Sequence, residues 1–287
     1  MNRPLEKSSE QIKSFIEKNP SYKSILIFYE ELLKLQEAIK PSLNVPRVHV
    51  KKDVLNLQAR EGFSLLNKED FIVDIPSSVN LFESICRTGK NANEKMKENI
   101  QFIEEAILTK KLDPGELLQK HYDISYIDRV AGEYRIDKAI LNFLIHMSIQ
   151  PSIHANVENV KEFVDLKNWL RGYCPICGSL PQISTLKGEG QRYFLCSFCG
   201  FEWHSERLKC PFCENRDHNK LHYFYEENKK VYRVDLCDNC KHYIKTIDSR
   251  ELNYDPDLYL EDITTIHLDI LADKQGYKRP APTPWGI

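Results

Sequence analysis

Four Cys-x-x-Cys pairs fall between residues 174 and 240: Cys174/Cys177 in YCPICG, Cys196/Cys199 in LCSFCG, Cys210/Cys213 in KCPFCE and Cys237/Cys240 in LCDNCK. Such a turn sets two sulfurs on one side of a tight loop, and two turns facing each other make a tetrahedral four-sulfur site. Four turns imply two sites. The residues between them argue the pairing. Cys177 and Cys196 are separated by eighteen residues that read as a hairpin, with strands at 182–186 and 192–195 and a turn at Gly188-Glu-Gly190. Cys213 and Cys237 are separated by twenty-three residues of the same plan, with strands at 221–225 and 231–234. The ten residues from 200 to 209 carry no hairpin signal. Cys174, Cys177, Cys196 and Cys199 are therefore assigned to one site, and Cys210, Cys213, Cys237 and Cys240 to the other.

Each unit is turn, hairpin, turn, the plan of a zinc ribbon or a rubredoxin. Structural disulfides need an oxidising compartment, which nothing here suggests. A thioredoxin-type dithiol occurs once, between a strand and a helix. Repeated, evenly spaced pairs fit metal better than either. A tetrathiolate site holds zinc or a single iron, and spacing leaves that choice open; the clustered spacings of ferredoxins are absent.

Charge is nearly balanced, with 40 basic and 42 acidic residues, which argues against a dominant nucleic-acid or membrane-surface role. No apolar run approaches the roughly twenty residues of a membrane span. The opening MNRPLEKSSEQ lacks the apolar core of a signal peptide. With eight of nine cysteines in these turns, a reducing, cytoplasmic setting is expected.

Residues 1–170 read as a helical domain. Helices are expected from Ser8 to Asn19, from Tyr22 to Ile39, and more weakly over Asp53–Leu66 and Ser77–Thr88. Asn93–Lys110 has inward Met96, Ile100, Ile103 and Ile107, widened by Phe102 and Ala106. Another helix opens at Asp113-Pro114. Ile136–Ile149 is strongly apolar, and Pro151 is expected to end or break it. A last helix, Val157–Leu170, would reach Gly172 as its C-cap. Metal units at 171–201 and 202–250 follow, with a closing strand at 243–247. Residues 251–287 add a helix over Ile263–Gln275, with Ile266, Ile270 and Leu271 inward, and a proline-rich tail anchored by Trp285. The fold class is α+β: a helical domain, two rubredoxin-like or zinc-ribbon units, and a C-terminal helix.

No nucleophile–base constellation, P-loop or dinucleotide fingerprint is present, so no enzyme is expected. Cys86 reads as a core thiol. His204, His218 and His222 read as neighbours of the sites or surface residues, since eight cysteines already close two sites. Asp123, Asp128 and Asp137 imply no acid–base pair. Tyr193, Phe194, Phe198, Phe201 and Trp203 are suited to stacking bases, but in so small a module they fit a mini-core better.

The chain resembles the formate dehydrogenase accessory proteins of the FdhE type. The resemblance is carried by WLRGYCPICGSLP (169–181), RYFLCSFCGFEWHSERLKCPFC (192–213), LCDNCKHYIK (236–245) and DITTIHLDILADKQGYKRPAPTPW (262–285). It extends more weakly over the helical half, and Thr283-Pro284-Trp285 stands where the family commonly has Asn-Pro-Phe. It implies a cytoplasmic maturation protein or chaperone that binds the catalytic subunit of formate dehydrogenase and is needed for active enzyme. It also implies rubredoxin-like iron sites, ligated here by the eight turn cysteines, with zinc as the alternative metal. Neither membrane insertion nor nucleic-acid binding is expected, and a homodimer stays open. Two other readings remain in view: a zinc ribbon that binds nucleic acid, and a metal-free Cys-x-x-Cys thiol oxidoreductase.

Overall fold

The structure, a computed structural model, describes residues 5–47, 55, 61–164, 166, 169–226 and 229–281. The chain forms two compact units. One comprises residues up to 47 together with 68–159, and the other residues 61–67 with 160–281. Most of the expected helix over Asp53–Leu66, and residues 282–287 of the tail with Trp285, lie outside the described residues; Phe63–Leu66 are not helical.

The first unit is helical: α1 (Leu5–Lys18), α2 (Lys23–Ile39), α3 (Ile75–Gly89), α4 (Glu94–Leu108), α5 (Pro114–Gln119), α6 (Ile124–Glu133) and α7 (Lys138–Val160). Five of these start on a side-chain cap, Asp137 accepting from the Ala139 and Ile140 N–H groups at 2.8 and 3.3 Å at the start of α7. Asp74, Asn93, Asp113 and Asp123 each accept from a main-chain N–H three residues on, at 3.2, 2.8, 2.8 and 3.0 Å. Each cap contributes about 1 kcal/mol. The caps also explain why the helix over 77–88 begins earlier, at Ile75. On α4, Ile100, Ile103 and Ala106 are buried, but Phe102 is 42% exposed and does not widen the apolar face.

Pro151 does not end the seventh helix, which runs unbroken to Val160. Proline cannot donate to the carbonyl four residues back, here that of Met147. Gln36 of α2 supplies the missing donor, its Nε2 lying 2.8 Å from the Met147 oxygen and 2.9 Å from Gln150 Oε1. Further along α7, Asn156 grips Ile72, accepting from its N–H at 3.1 Å and donating to its carbonyl at 2.8 Å. The helix expected over Val157–Leu170 is not seen among the described residues beyond Val160. After Val160 a single 3-10 turn reaches Phe163, and Val164 is extended.

The second unit is built on one six-stranded sheet: β1 (Pro181–Lys187), β2 (Gln191–Cys196), β3 (Glu202–Ser205), β4 (Leu221–Glu226), β5 (Lys229–Cys237) and β6 (His242–Asp248). Its order is β3-β2-β1-β6-β5-β4. The two hairpins and the closing strand match the alternation in the sequence. Between them runs a join with no local signal: β1 pairs with β6 in parallel, Ser184 opposite Thr246 and Leu186 opposite Asp248. The strands of both turn–hairpin–turn segments thus share one sheet.

Helices α8 (Leu258–Thr264) and α9 (Ile266–Lys274) follow. Leu268 and Ala272 pack with Val234, Leu236, Tyr243 and Tyr277, and Leu258 with Ile183, Leu195 and Ile247. The single helix expected over 263–275 is therefore interrupted at Thr265. Its inward face is Leu268, Asp269 and Ala272, whereas Ile270 and Leu271 are exposed. The reason is ionic. Asp269 accepts from Lys245 at 2.6 Å, Tyr243 at 2.8 Å and Arg279 at 2.9 Å. Asp262 closes the cluster, meeting Lys245 at 2.8 Å, Arg279 at 2.9 Å and Gln182 at 2.8 Å. Two cations and two anions balance, which is the condition under which buried charge is tolerated. Among the described residues, no helix is long and apolar enough to cross a membrane.

Candidate metal centres

Every knuckle follows the same backbone rule. The residue after the second cysteine adopts a left-handed conformation: Gly178 (φ 70°), Gly200 (φ 69°), Glu214 (φ 58°) and Lys241 (φ 55°). Its N–H then turns back onto the carbonyl of the first cysteine, at 2.9, 3.3, 3.0 and 2.8 Å respectively. This closed turn throws both thiols to one side.

The sulfurs gather into two groups, Cys174 with Cys177, Cys196 and Cys199, and Cys210 with Cys213, Cys237 and Cys240, each with all Sγ atoms within 4.8 Å of one another. This is the grouping the hairpins imply. In the first group Cys174–Cys199 and Cys177–Cys196 are 3.6 and 3.3 Å apart. In the second, Cys210–Cys240 and Cys213–Cys237 are both 3.7 Å apart. Metal–sulfur bonds of about 2.3 Å place tetrahedral sulfurs roughly 3.8 Å from one another, so both donor sets fit a single metal ion. None of the nine cysteines is in a disulfide.

Hydrogen bonds to sulfur support negative charge there. Cys196 Sγ accepts from the main-chain N–H of Phe198 and Cys199, both at 3.4 Å. Asn239 donates to Cys213 Sγ at 3.5 Å. Burial pushes the thiols of Cys174, Cys199 and Cys210 up, and that of Cys240 to about 11. Burial acts on Cys177 as well, but hydrogen bonds from the other three thiols outweigh it and hold it well below the ordinary value. Asn239 and the Asn215 amide likewise outweigh the burial of Cys213 and bring it to about 7. Hydrogen bonding thus opposes burial at Cys177 and Cys213 and favours the thiolate, the form that binds metal.

The surroundings were only partly legible. Phe194 and Trp203 are fully buried with ring centroids 5.5 Å apart, and Phe201 is buried, so these aromatics form a mini-core. Trp203 lies on β3, a strand that residues 200–209 do not announce. Its Nε1 donates to the Arg171 carbonyl at 3.1 Å, and Lys209 Nζ donates to the Leu170 carbonyl at 2.7 Å. Gly172 is required here for a different reason than capping: a Cβ would sit 1.8 Å from the Pro211 carbonyl oxygen. Several basic residues of the segment are engaged. Arg192 is buried against Asp235 at 2.9 Å, Lys187 meets Glu202 at 2.6 Å, and Arg216 meets Glu206 at 2.7 Å. Both four-sulfur groups consist of cysteines alone. His204 stacks edge-on with Tyr193, and His222 meets Asp238 at 2.9 Å. Of the aspartates, Asp123 is a helix cap, Asp137 pairs with Lys95 at 2.6 Å, and Asp128 pairs with Lys138.

Two family models meet end to end across this region: "FdhE, central domain" over residues 173–207 and "FdhE, C-terminal domain" over residues 208–285. A protein FdhE homolog of Aquifex aeolicus is 28% identical over 270 residues, 91% of this chain and 88% of that protein. The chain is similar to an FdhE homolog along most of its length. Escherichia coli K12 protein FdhE is 33% identical over 121 residues, 40% of this chain and 38% of that protein. A homolog from Stutzerimonas stutzeri is 38% identical over 114 residues, 36% of its length. The likeness to these two thus spans little more than a third of their lengths. The crystal structure of the FdhE protein from Pseudomonas aeruginosa shares the fold, with a TM-score of 0.72 at 21% identity over 98% of this chain and 95% of that one.

Proposed function

We propose that this chain is an accessory protein of formate dehydrogenase maturation, not itself a catalyst, that acts in the cytoplasm by binding the enzyme's catalytic subunit. The observation that carries the reading is the pair of four-cysteine groups within the segments that both FdhE models match. The eight cysteines are the ligands of two metal ions, iron by family resemblance and zinc as the alternative. Iron in such a site supplies a one-electron couple, whereas zinc supplies only a crosslink. The chain's own part is to hold four thiolates at fixed spacing, with main-chain and asparagine N–H groups bearing on the sulfurs. Metal units at 171–201 and 202–250, after a helical domain to residue 170 and before a C-terminal element from 251, are the working division of the chain.

Two measurements test the proposal. Anaerobic purification followed by metal analysis is expected to give two ions per chain, with visible charge-transfer absorption where the metal is iron. The tagged chain is expected to recover the catalytic subunit, and deleting its gene to abolish formate oxidation. Full formate dehydrogenase activity after deletion, with only nucleic acid recovered on the tagged chain, would overturn it. Buried Phe194 and Trp203 and the ion-paired Arg192, Lys187 and Arg216 favour the protein partner over nucleic acid.

A further inference from the structure

The two four-cysteine groups share a plan but not a setting. All four cysteines of the first group are buried, whereas Cys213 and Cys240 of the second are half-buried. The first knuckle lies under a second layer of chain. Leu65 and Leu66 donate their N–H groups to the Pro175 and Ile176 carbonyls at 2.9 and 2.8 Å. Tyr173 Oη donates to the Gly62 carbonyl at 2.6 Å.

Main-chain donors to sulfur occur in both groups. Cys196 takes two main-chain N–H groups, which move only if the knuckle moves. The second group has main-chain donors as well, from Phe212 and Cys213 to Cys210, Asn215 to Cys213 and His242 to Cys240, and adds the side chains of Asn239, itself exposed, at 3.5 Å from Cys213, and Asn215 at 4.0 Å from Cys237. A side-chain amide rotates away without disturbing the turn.

Backbone strain points the same way. The left-handed position is glycine in both knuckles of the first group, Gly178 and Gly200, but Glu214 and Lys241 in the second. A side chain in that conformation favours opening of its turn by about tenfold. The second site therefore combines partial exposure with two strained turns.

We propose that the second site is the exchangeable, reagent-accessible centre and the first a permanent one. This rests on the reading that both groups hold metal. An entering chelator approaches past Cys213 and Cys240, and its donor atoms replace the metal–sulfur bonds one by one. The freed thiolates take up protons, or attack an alkylating agent with loss of iodide; no electron is transferred. Emptying the second site leaves the first ribbon closed.

The test uses the full chain loaded anaerobically with two equivalents of zinc. Release is followed with an excess of 4-(2-pyridylazo)resorcinol, while pulses of iodoacetamide and peptide mass mapping record which thiols open. One equivalent is expected to leave about a hundredfold faster than the other, two strained turns compounding. In that phase label enters Cys213 and Cys240 and then Cys210 and Cys237, with Cys174, Cys177, Cys196 and Cys199 unlabelled. Glu214→Gly with Lys241→Gly is expected to slow the fast phase about tenfold or more, and an unchanged rate counts against the proposal. Release of both ions in one phase, or label entering the first group first, overturns it while leaving metal binding intact. A chain that takes up no zinc defeats the underlying reading and this one together.

Discussion

Gln36 donates to the carbonyl oxygen of Met147, the acceptor that Pro151 leaves without its helical donor. A residue on one helix thus completes the hydrogen bonding of another, and the side chain is buried to do it. Replacing Gln36 by Ala is expected to destabilise the first unit by roughly 2 kcal/mol, because a buried acceptor is left unmade. With Pro151→Ala the helix regains its own N–H at that place, so Gln36→Ala should then cost less than about 1 kcal/mol. Urea denaturation of the four proteins measures the coupling. Equal costs in both backgrounds would mean the proline and the glutamine are unrelated.

Asp262 ties stability to pH. Burial alone would raise its carboxyl, but Arg279, Lys245 and Gln182 outweigh burial and hold it below the usual value. A depressed carboxylate contributes stability that is full above its unfolded value, near 3.9, and is lost as pH falls through the folded one. The chain should thus lose this contribution only in strong acid. Asp262→Asn leaves two buried cations to share Asp269 alone, one positive charge uncompensated, and should cost about 3–5 kcal/mol at pH 7. Measured by denaturation against pH in one metal state, the difference between the two proteins should shrink as pH falls below about 4. A difference that does not change with pH would exclude the ionic account.

Gly172 faces a main-chain oxygen, which cannot swing aside. Gly172→Ala is expected to destabilise the second unit by about 3 kcal/mol, at the upper end of overpacking costs. Gly132, where an added Cβ would meet nothing within 4 Å, serves as the control, since Gly132→Ala on a helix should stabilise by up to about 1 kcal/mol. Comparable losses at both positions would refute the packing argument.

Cys86 is the one cysteine outside the metal groups, and burial, reinforced by Glu104, pushes its thiol up to about 12. At pH 8 it stays protonated and should resist iodoacetamide in the folded protein, reacting only on unfolding. Rapid labelling of Cys86 under native conditions would show that the α3 region opens.

The metal groups were legible because ligand geometry constrains spacing: four Cys-x-x-Cys turns separated by hairpin-like stretches leave one sensible grouping. The helix starts were legible because Asp74, Asn93, Asp113 and Asp123 advertise caps chemically. What escaped depends on partners distant in sequence. Nothing near Pro151 reveals that Gln36 will replace its missing donor. Nothing in the sequence pairs Lys245, Asp262, Asp269 and Arg279, and only their mutual neutralisation lets them lie inside. That inversion also turned α9, since Asp269 faces inward and carries Leu268 and Ala272 with it while Ile270 and Leu271 face out. The parallel β1–β6 pairing joins Ser184 to Thr246, too far apart for any local pattern to record.

Arg279 donates to the carbonyl of Gln182, ninety-seven residues earlier in the chain. A ribosome finishes Cys199 well before it reaches Arg279, an interval of 279 − 199 = 80 residues, or on the order of 4–16 s at usual elongation speeds. All four sulfurs of the first group have been synthesised by then, while the clasp that fastens the first strand has yet to be made. On the proposal that both groups hold metal, uptake is expected to be ordered by synthesis, the earlier group filling while the sheet is still open at β6. Ribosome-bound chains halted near Cys240, with on the order of 35 residues still inside the exit tunnel and Ser205 just clear of it, should carry one equivalent of zinc; a requirement for residue 279 before any is held would reverse that order.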